Sequence, residues 1–100
     1  MLKSLHTKQN EVFLSMLRSS REALRLRQAD LAVRLGRGQS TVSKIERGVR
    51  RLDVIELRAW LTALDLDFLD FMRDLNGQLS GIPTVDPRLR SRSRGASRSL

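Results

Sequence analysis

Residues 27–48 read RQADLAVRLGRGQSTVSKIERG, Arg27 to Gly48, and their reading decides the fold. Leu31 and Leu35 are four apart, and Val42 and Ile45 are three apart, so each pair shares one helical face. Polar residues fill the intervening positions, which leaves each segment a single apolar stripe to bury. Segments of about two turns are marginal alone, so they must pack on each other and on a further helix. Ala32, next to Leu31, is small enough to let two helices touch. Gly36 falls where the first segment must end, a position where the left-handed conformation is often needed. Gly38 adds a second permissive residue before the next helix begins.

Outward from that pair, Lys8 to about Leu24 reads as a preceding helix, with Val12, Phe13, Met16, Leu17 and Leu24 near one stripe. Gln28–Gly36 and Gln39–Arg47 are the second and third helices, and Gly48 stops the third. Val49 to Leu52 is an Arg-containing linker. Asp53 caps a fourth helix to about Leu64, which presents Leu57, Trp60, Leu61 and Leu64 on one face; Asp67 caps a fifth, from Phe68 to Leu75. From Gly77 the composition changes. Gly81, Pro83 and Pro87 break helices, and RLRSRSRGASRSL is low-complexity and basic, so 77–100 is expected to be a flexible tail. There is no internal repeat and no strand-like alternation. The expected fold is all-α, with a five-helix domain over 1–76.

The 100 residues suit one domain with a modest core. The absence of cysteine excludes a disulfide framework and a Cys-ligated metal. No apolar run reaches the length of a membrane span, and Lys3, His6, Lys8, Gln9 and Asn10 interrupt any leader-like start. A cytoplasmic, intracellular location is therefore expected. The net charge of +8 is unevenly spread: residues 1–52 hold twelve basic and four acidic side chains, residues 53–76 two and six, and residues 77–100 five and one. A basic first half joined to an acidic segment suits one face toward phosphates and another toward protein or water.

The motifs LRSSRE (17–22), RQADLAVRLG (27–36), QSTVSKIERG (39–48) and VIELRAWLTALDL (54–66) occur in an order and spacing that resembles the Xre-like, phage-repressor and Cro-like helix-turn-helix regulators. The resemblance runs from about Leu17 to Leu66. Three departures stand out: Arg25 where the family often has Gly, Arg27 where a Ser or Thr cap is usual, and Arg37 where the turn residue is usually apolar. An Arg cannot cap in the manner of Ser or Thr.

The resemblance implies a sequence-specific reader of double-stranded DNA, with the third helix in the major groove. Gln39 can pair both amide groups with an adenine edge and Lys44 can donate to guanine, while Ser40 and Ser43 act directly or through water. In the family's pattern Gln28 bonds a phosphate at a helix N-terminus. Arg37, Thr41, Arg47, Arg50 and Arg51 are placed for the backbone too, which fixes register rather than sequence choice. The resemblance also implies an ion pair between Arg21 and Glu46, clamping the first helix to the third; a pairing of Glu46 with Arg50 is the alternative.

Phe68, Leu69, Phe71 and Met72 crowd one short helix, and one side of it would be hidden in a homodimer. A twofold dimer would place two reading helices about one DNA turn apart on a palindromic operator. Arg88, Arg90, Arg92, Arg94 and Arg98 give an arm suited to phosphates or a minor groove, with folding onto a partner protein and a purely solubilising tail as the alternatives. An enzyme fits poorly: His6 is the sole histidine, and there is no Gly-rich phosphate loop and no metal-ligand cluster. No cofactor is expected. The expected role is a bacterial or phage-derived, nucleoid-associated repressor. An antitoxin that binds a toxin protein and represses its own operon, a restriction–modification controller, and an activator touching polymerase through the acidic segment all fit the same motifs.

Overall fold

The computed structural model describes residues 7–82. Each helix begins and ends for a local reason. Thr7 starts α1 (Lys8–Ala23), its hydroxyl accepting from the Asn10 N–H at 3.1 Å. α2 (Gln28–Leu35) has Arg27 at its N-cap position, and a guanidinium has no acceptor to offer. Asp30, three residues on, takes over: its carboxylate accepts from the Arg27 backbone N–H at 2.8 Å and from the guanidinium at 2.8 and 3.1 Å. α3 is Gln39–Glu46. Asp53 opens α4 (Val54–Ala63) in a reciprocal box with Glu56, each side chain accepting the other's backbone N–H at 2.7 and 3.1 Å. Asp67 opens α5 (Phe68–Leu79) by accepting from the Asp70 N–H at 3.0 Å.

The first four helices end alike. The cap itself in α2, and the residue after the cap in the other three, turns left-handed, and the next N–H reaches back five residues: Leu26 to Arg21, Arg37 to Ala32, Val49 to Lys44 and Leu66 to Leu61. The left-handed positions are Arg25 (φ 59°), Gly36 (φ 67°), Gly48 (φ 78°) and Asp65 (φ 60°). Glycine fits this region freely, so Arg25 and Asp65 carry a cost that Gly36 and Gly48 avoid. Gly38 has φ −78°, which any residue adopts, so no special freedom is needed there.

Three expectations are corrected. Leu24, placed on the α1 stripe, follows the end of the helix and is 43% exposed; the reversal at Arg25 turns the chain so that Leu26 packs against the core instead. α5 does not stop at Leu75. It runs through Gly77 because Leu75 and Leu79, one turn apart, both pack inward. The start of the expected tail at Gly77 thus lies inside a helix, and Gln9 Nε2 donates to the Ile82 carbonyl at 3.4 Å. Residues 1–6, with His6, and the arginines from Arg88 to Arg98 lie outside the described residues.

Leu17, Leu31, Val42, Ile45, Leu61 and Leu64 are fully buried and join α1, α2, α3 and α4 in one core. Burying such a side chain contributes about 1.5–3 kcal/mol. α2 packs on α3 and α4, and α1 packs on α3 and α5. Phe13 and Phe71 meet edge to face, ring centres 6.3 Å apart, where α1 crosses α5. The core therefore holds α3 from behind and leaves its other side to solvent.

Candidate nucleic-acid interface

The inner side of α3 ends in a carboxylate. Glu46 is 2% exposed and receives Arg21 in a two-point contact, Nε to Oε2 at 2.7 Å and Nη2 to Oε1 at 3.0 Å. The remaining arm of the same guanidinium donates to the Leu26 carbonyl at 2.7 Å, just beyond the left-handed turn. Gln28, the first residue of α2, donates its Nε2 to Glu46 Oε1 at 3.0 Å. One buried carboxylate thus ties α1, the α1–α2 turn, α2 and α3 together. The hydrogen bonds that Arg21 donates to Glu46, more than the Glu46 charge, hold its guanidinium above its ordinary pKa against the opposing effect of burial. Arg50 does not reach Glu46; it pairs elsewhere.

The outer side of α3 carries the residues assigned to bases. At 100° per residue, Gln39, Ser43, Arg47, Ser40 and Lys44 fall within an arc of about 140°, while Val42, Ile45 and Glu46 fill the opposite side. Gln39, Ser40, Lys44 and Arg47 are exposed, and Ser43 and Thr41 are half-buried. Arg47 donates Nε to the Ser43 hydroxyl at 3.1 Å, so these two are already coupled. Thr41 sits toward the inner edge of the arc, beside Leu35, Arg37 and Trp60 around a cavity of about 60 Å³.

The arginines expected at phosphates are not all idle. Arg37, in the turn between α2 and α3, and Arg50, in the linker after α3, both approach one oxygen of Glu56. The distances to Oε2 are 3.5 Å from Arg37 and 2.9 Å from Arg50. Arg50, then the Asp53 N–H, holds the Glu56 carboxyl below the usual carboxylate range. Arg51 is exposed next to them. The sequence reading missed Glu56 and Asp30 as partners. Both stand three residues after an N-cap position, a spacing visible in the sequence, but the convergence of Arg37 and Arg50 on Glu56 depends on how α4 packs on α2.

The four α5 residues assigned to a dimer contact separate. Phe71 is 6% exposed in the core of one chain, so it is unavailable to a second copy. Phe68 and Met72 are half-buried against that core, and Leu69 is 64% exposed. Val54, at 58%, and Ile55, at 74%, are exposed apolar residues on the first turn of α4 that the sequence reading did not single out.

A short helix locked from behind by Val42, Ile45 and Glu46, joined by a tight glycine turn to an equally short helix and presenting a polar, basic face to solvent, defines a helix-turn-helix DNA-binding domain. The helix-turn-helix family model matches residues 17–71. Among solved structures, an XRE-family like protein from Pseudomonas syringae pv. tomato str. DC3000 is similar, with a TM-score of 0.68 and 36% sequence identity over 78% of this chain and 98% of that one. No match was found among curated proteins. The chain belongs to the XRE-type helix-turn-helix family of DNA-binding transcription regulators. Among the described residues no helix is long and apolar enough to cross a membrane.

Proposed function

We propose that this protein is a homodimeric transcriptional repressor that reads a palindromic operator in the cytoplasm. The carrying observation is the division of α3, with one side fixed by the core and by Glu46 and the other presenting exposed Gln39, Ser40 and Lys44 and half-buried Ser43 in one arc. In this reading Gln39 pairs with adenine and Lys44 with guanine, and the two serines make shorter or water-bridged contacts. Thr41, Arg37, Arg47, Arg50 and Arg51 contact phosphates and set the register. Gln28 joins them through its amide, which is half-buried and already oriented by Glu46. The five arginines from Arg88 to Arg98 add salt-dependent affinity in this reading.

Exposed Leu69, flanked by Phe68 and Met72, supports a contact between two copies that hides this strip. Two copies related by a twofold axis would set their recognition helices about 34 Å apart. Selection of bound sequences from a random duplex pool tests this. The expected result is an enriched inverted repeat with half-sites one helical turn apart. Failure to enrich any sequence overturns base reading, and enrichment of a single unrepeated half-site overturns the dimer.

A further inference from the structure

Arg37 and Arg50 precede and follow α3 in the chain, yet their guanidiniums converge on the same atom, Oε2 of Glu56. Two like charges brought side by side need an anion between them. A carboxylate oxygen there stands where an oxygen of a DNA phosphate would bridge the same pair. All three side chains reach solvent: Arg37 is 45%, Arg50 40% and Glu56 22% exposed, so they are able to exchange partners. Glu56 is itself kept in place, since its Oε1 accepts from the Asp53 N–H at 3.1 Å. Its carboxylate is therefore fixed on α4 while the arginines are held by long, flexible stems.

We propose that Glu56 is a built-in competitor of DNA phosphate, occupying Arg37 and Arg50 in the free protein and lowering sequence-independent affinity for DNA. The inference rests on the DNA-reading role of α3 and adds a residue that opposes it. The competition is electrostatic. With Glu56 in place the trio carries one net positive charge, and without it two. A protein that depends on base contacts for specificity gains when its phosphate contacts are weakened, because non-specific binding is almost wholly electrostatic.

Glu56→Gln removes the charge and keeps an acceptor for the Asp53 N–H, so the start of α4 is preserved. One further phosphate neutralised steepens the slope of log K against log salt by about 0.9. Fluorescence anisotropy with a labelled mixed-sequence duplex should show E56Q binding about tenfold more tightly than the parent at ~50 mM salt, narrowing to about threefold at ~200 mM. E56A, which removes the same carboxylate and leaves the Asp53 side-chain cap, should shift in the same direction. Adding Arg50→Ala to E56Q should remove most of the gain. Equal affinities and slopes, or weaker binding by both Glu56 variants, overturn the competition while leaving the DNA-reading role intact. Absence of binding by parent and variants alike overturns that role and the competition with it.

Discussion

Replacing Glu46 with Ala should cost a large part of the stability of the domain, because the buried carboxylate accepts three hydrogen bonds, two from Arg21 and one from Gln28. Removing one partner of a buried ion pair leaves an uncompensated charge and costs about 3–5 kcal/mol. The described region of 76 residues should have a total stability of about 4–11 kcal/mol. A loss of 3 kcal/mol or more in a domain of this size lowers Tm by roughly 12–24 °C. Arg21, 9% exposed in its side chain, is the group left stranded, with only the Leu26 carbonyl to hold it. Urea titrations followed by far-ultraviolet circular dichroism measure the loss. The double variant Arg21→Met/Glu46→Leu separates the charge from the packing. It removes both ions and fills their space, and Gln28, being half-buried, can turn its amide to water. Most of the lost stability should return, with a coupling of at least about 2 kcal/mol between the two positions. The loss in Glu46→Ala should also be the same at low and high salt, since a buried pair is little screened. A loss below about 1 kcal/mol, the range of an exposed pair, or additive effects of the two substitutions, would refute the clamp.

Smaller perturbations test the local devices. Arg27 and its backbone N–H push Asp30 down to about 2, below an ordinary value near 3.9. A lowered folded-state value stabilises above the unfolded value and is lost as pH falls through the folded one. The stability difference between the parent and Asp30→Asn should be full at about pH 5 and close between about pH 5 and 1; a difference undiminished at about pH 1 would exclude this titration as its source. Arg25→Gly relieves a left-handed non-glycine residue costing about 1–2 kcal/mol and gives back about 0.4–1 kcal/mol through the freer unfolded chain. A net gain of about 0.5–1 kcal/mol in urea is expected, with Arg25→Ala as the control for the lost charge. Gly77→Ala should add about 0.5–1 kcal/mol, since a Cβ there meets open space in the last turn of α5; a loss would mean that α5 ends earlier.

The elements that the sequence disclosed most fully are those whose signals are local. Leu31, Leu35, Val42 and Ile45 mark their helices by spacing alone, and Asp53 and Asp67 cap α4 and α5 because an acceptor at that point has an immediate use. The end of α5 was harder to read. Gly77 is a weak helix former, and what carries the helix across it is the burial of Leu79 against a core formed by other helices. The same holds for Leu24, apolar and in phase, but displaced by a left-handed turn at Arg25 that no property of arginine announces. On the interface, the exposed arc of α3 follows from its own periodicity. That Arg37 and Arg50 share one carboxylate does not, since 37, 50 and 56 come together only when α4 packs on α2.

Two carboxylates, therefore, bear on the face of α3, and they differ in what they cost to move. Glu46 is sealed by Arg21 and Gln28, so it sets where α3 sits and cannot respond to DNA without loss of the fold. Glu56 is partly exposed and binds side chains that are themselves 40–45% exposed, so it can yield its partners at little structural cost. Substitutions at Glu46 should change stability first and DNA binding only as a consequence, whereas Glu56→Gln, which keeps the acceptor for the Asp53 N–H, should change the salt dependence of binding and leave the melting curve nearly in place. Position is fixed by the buried carboxylate, and charge on the reading face is set by the exposed one.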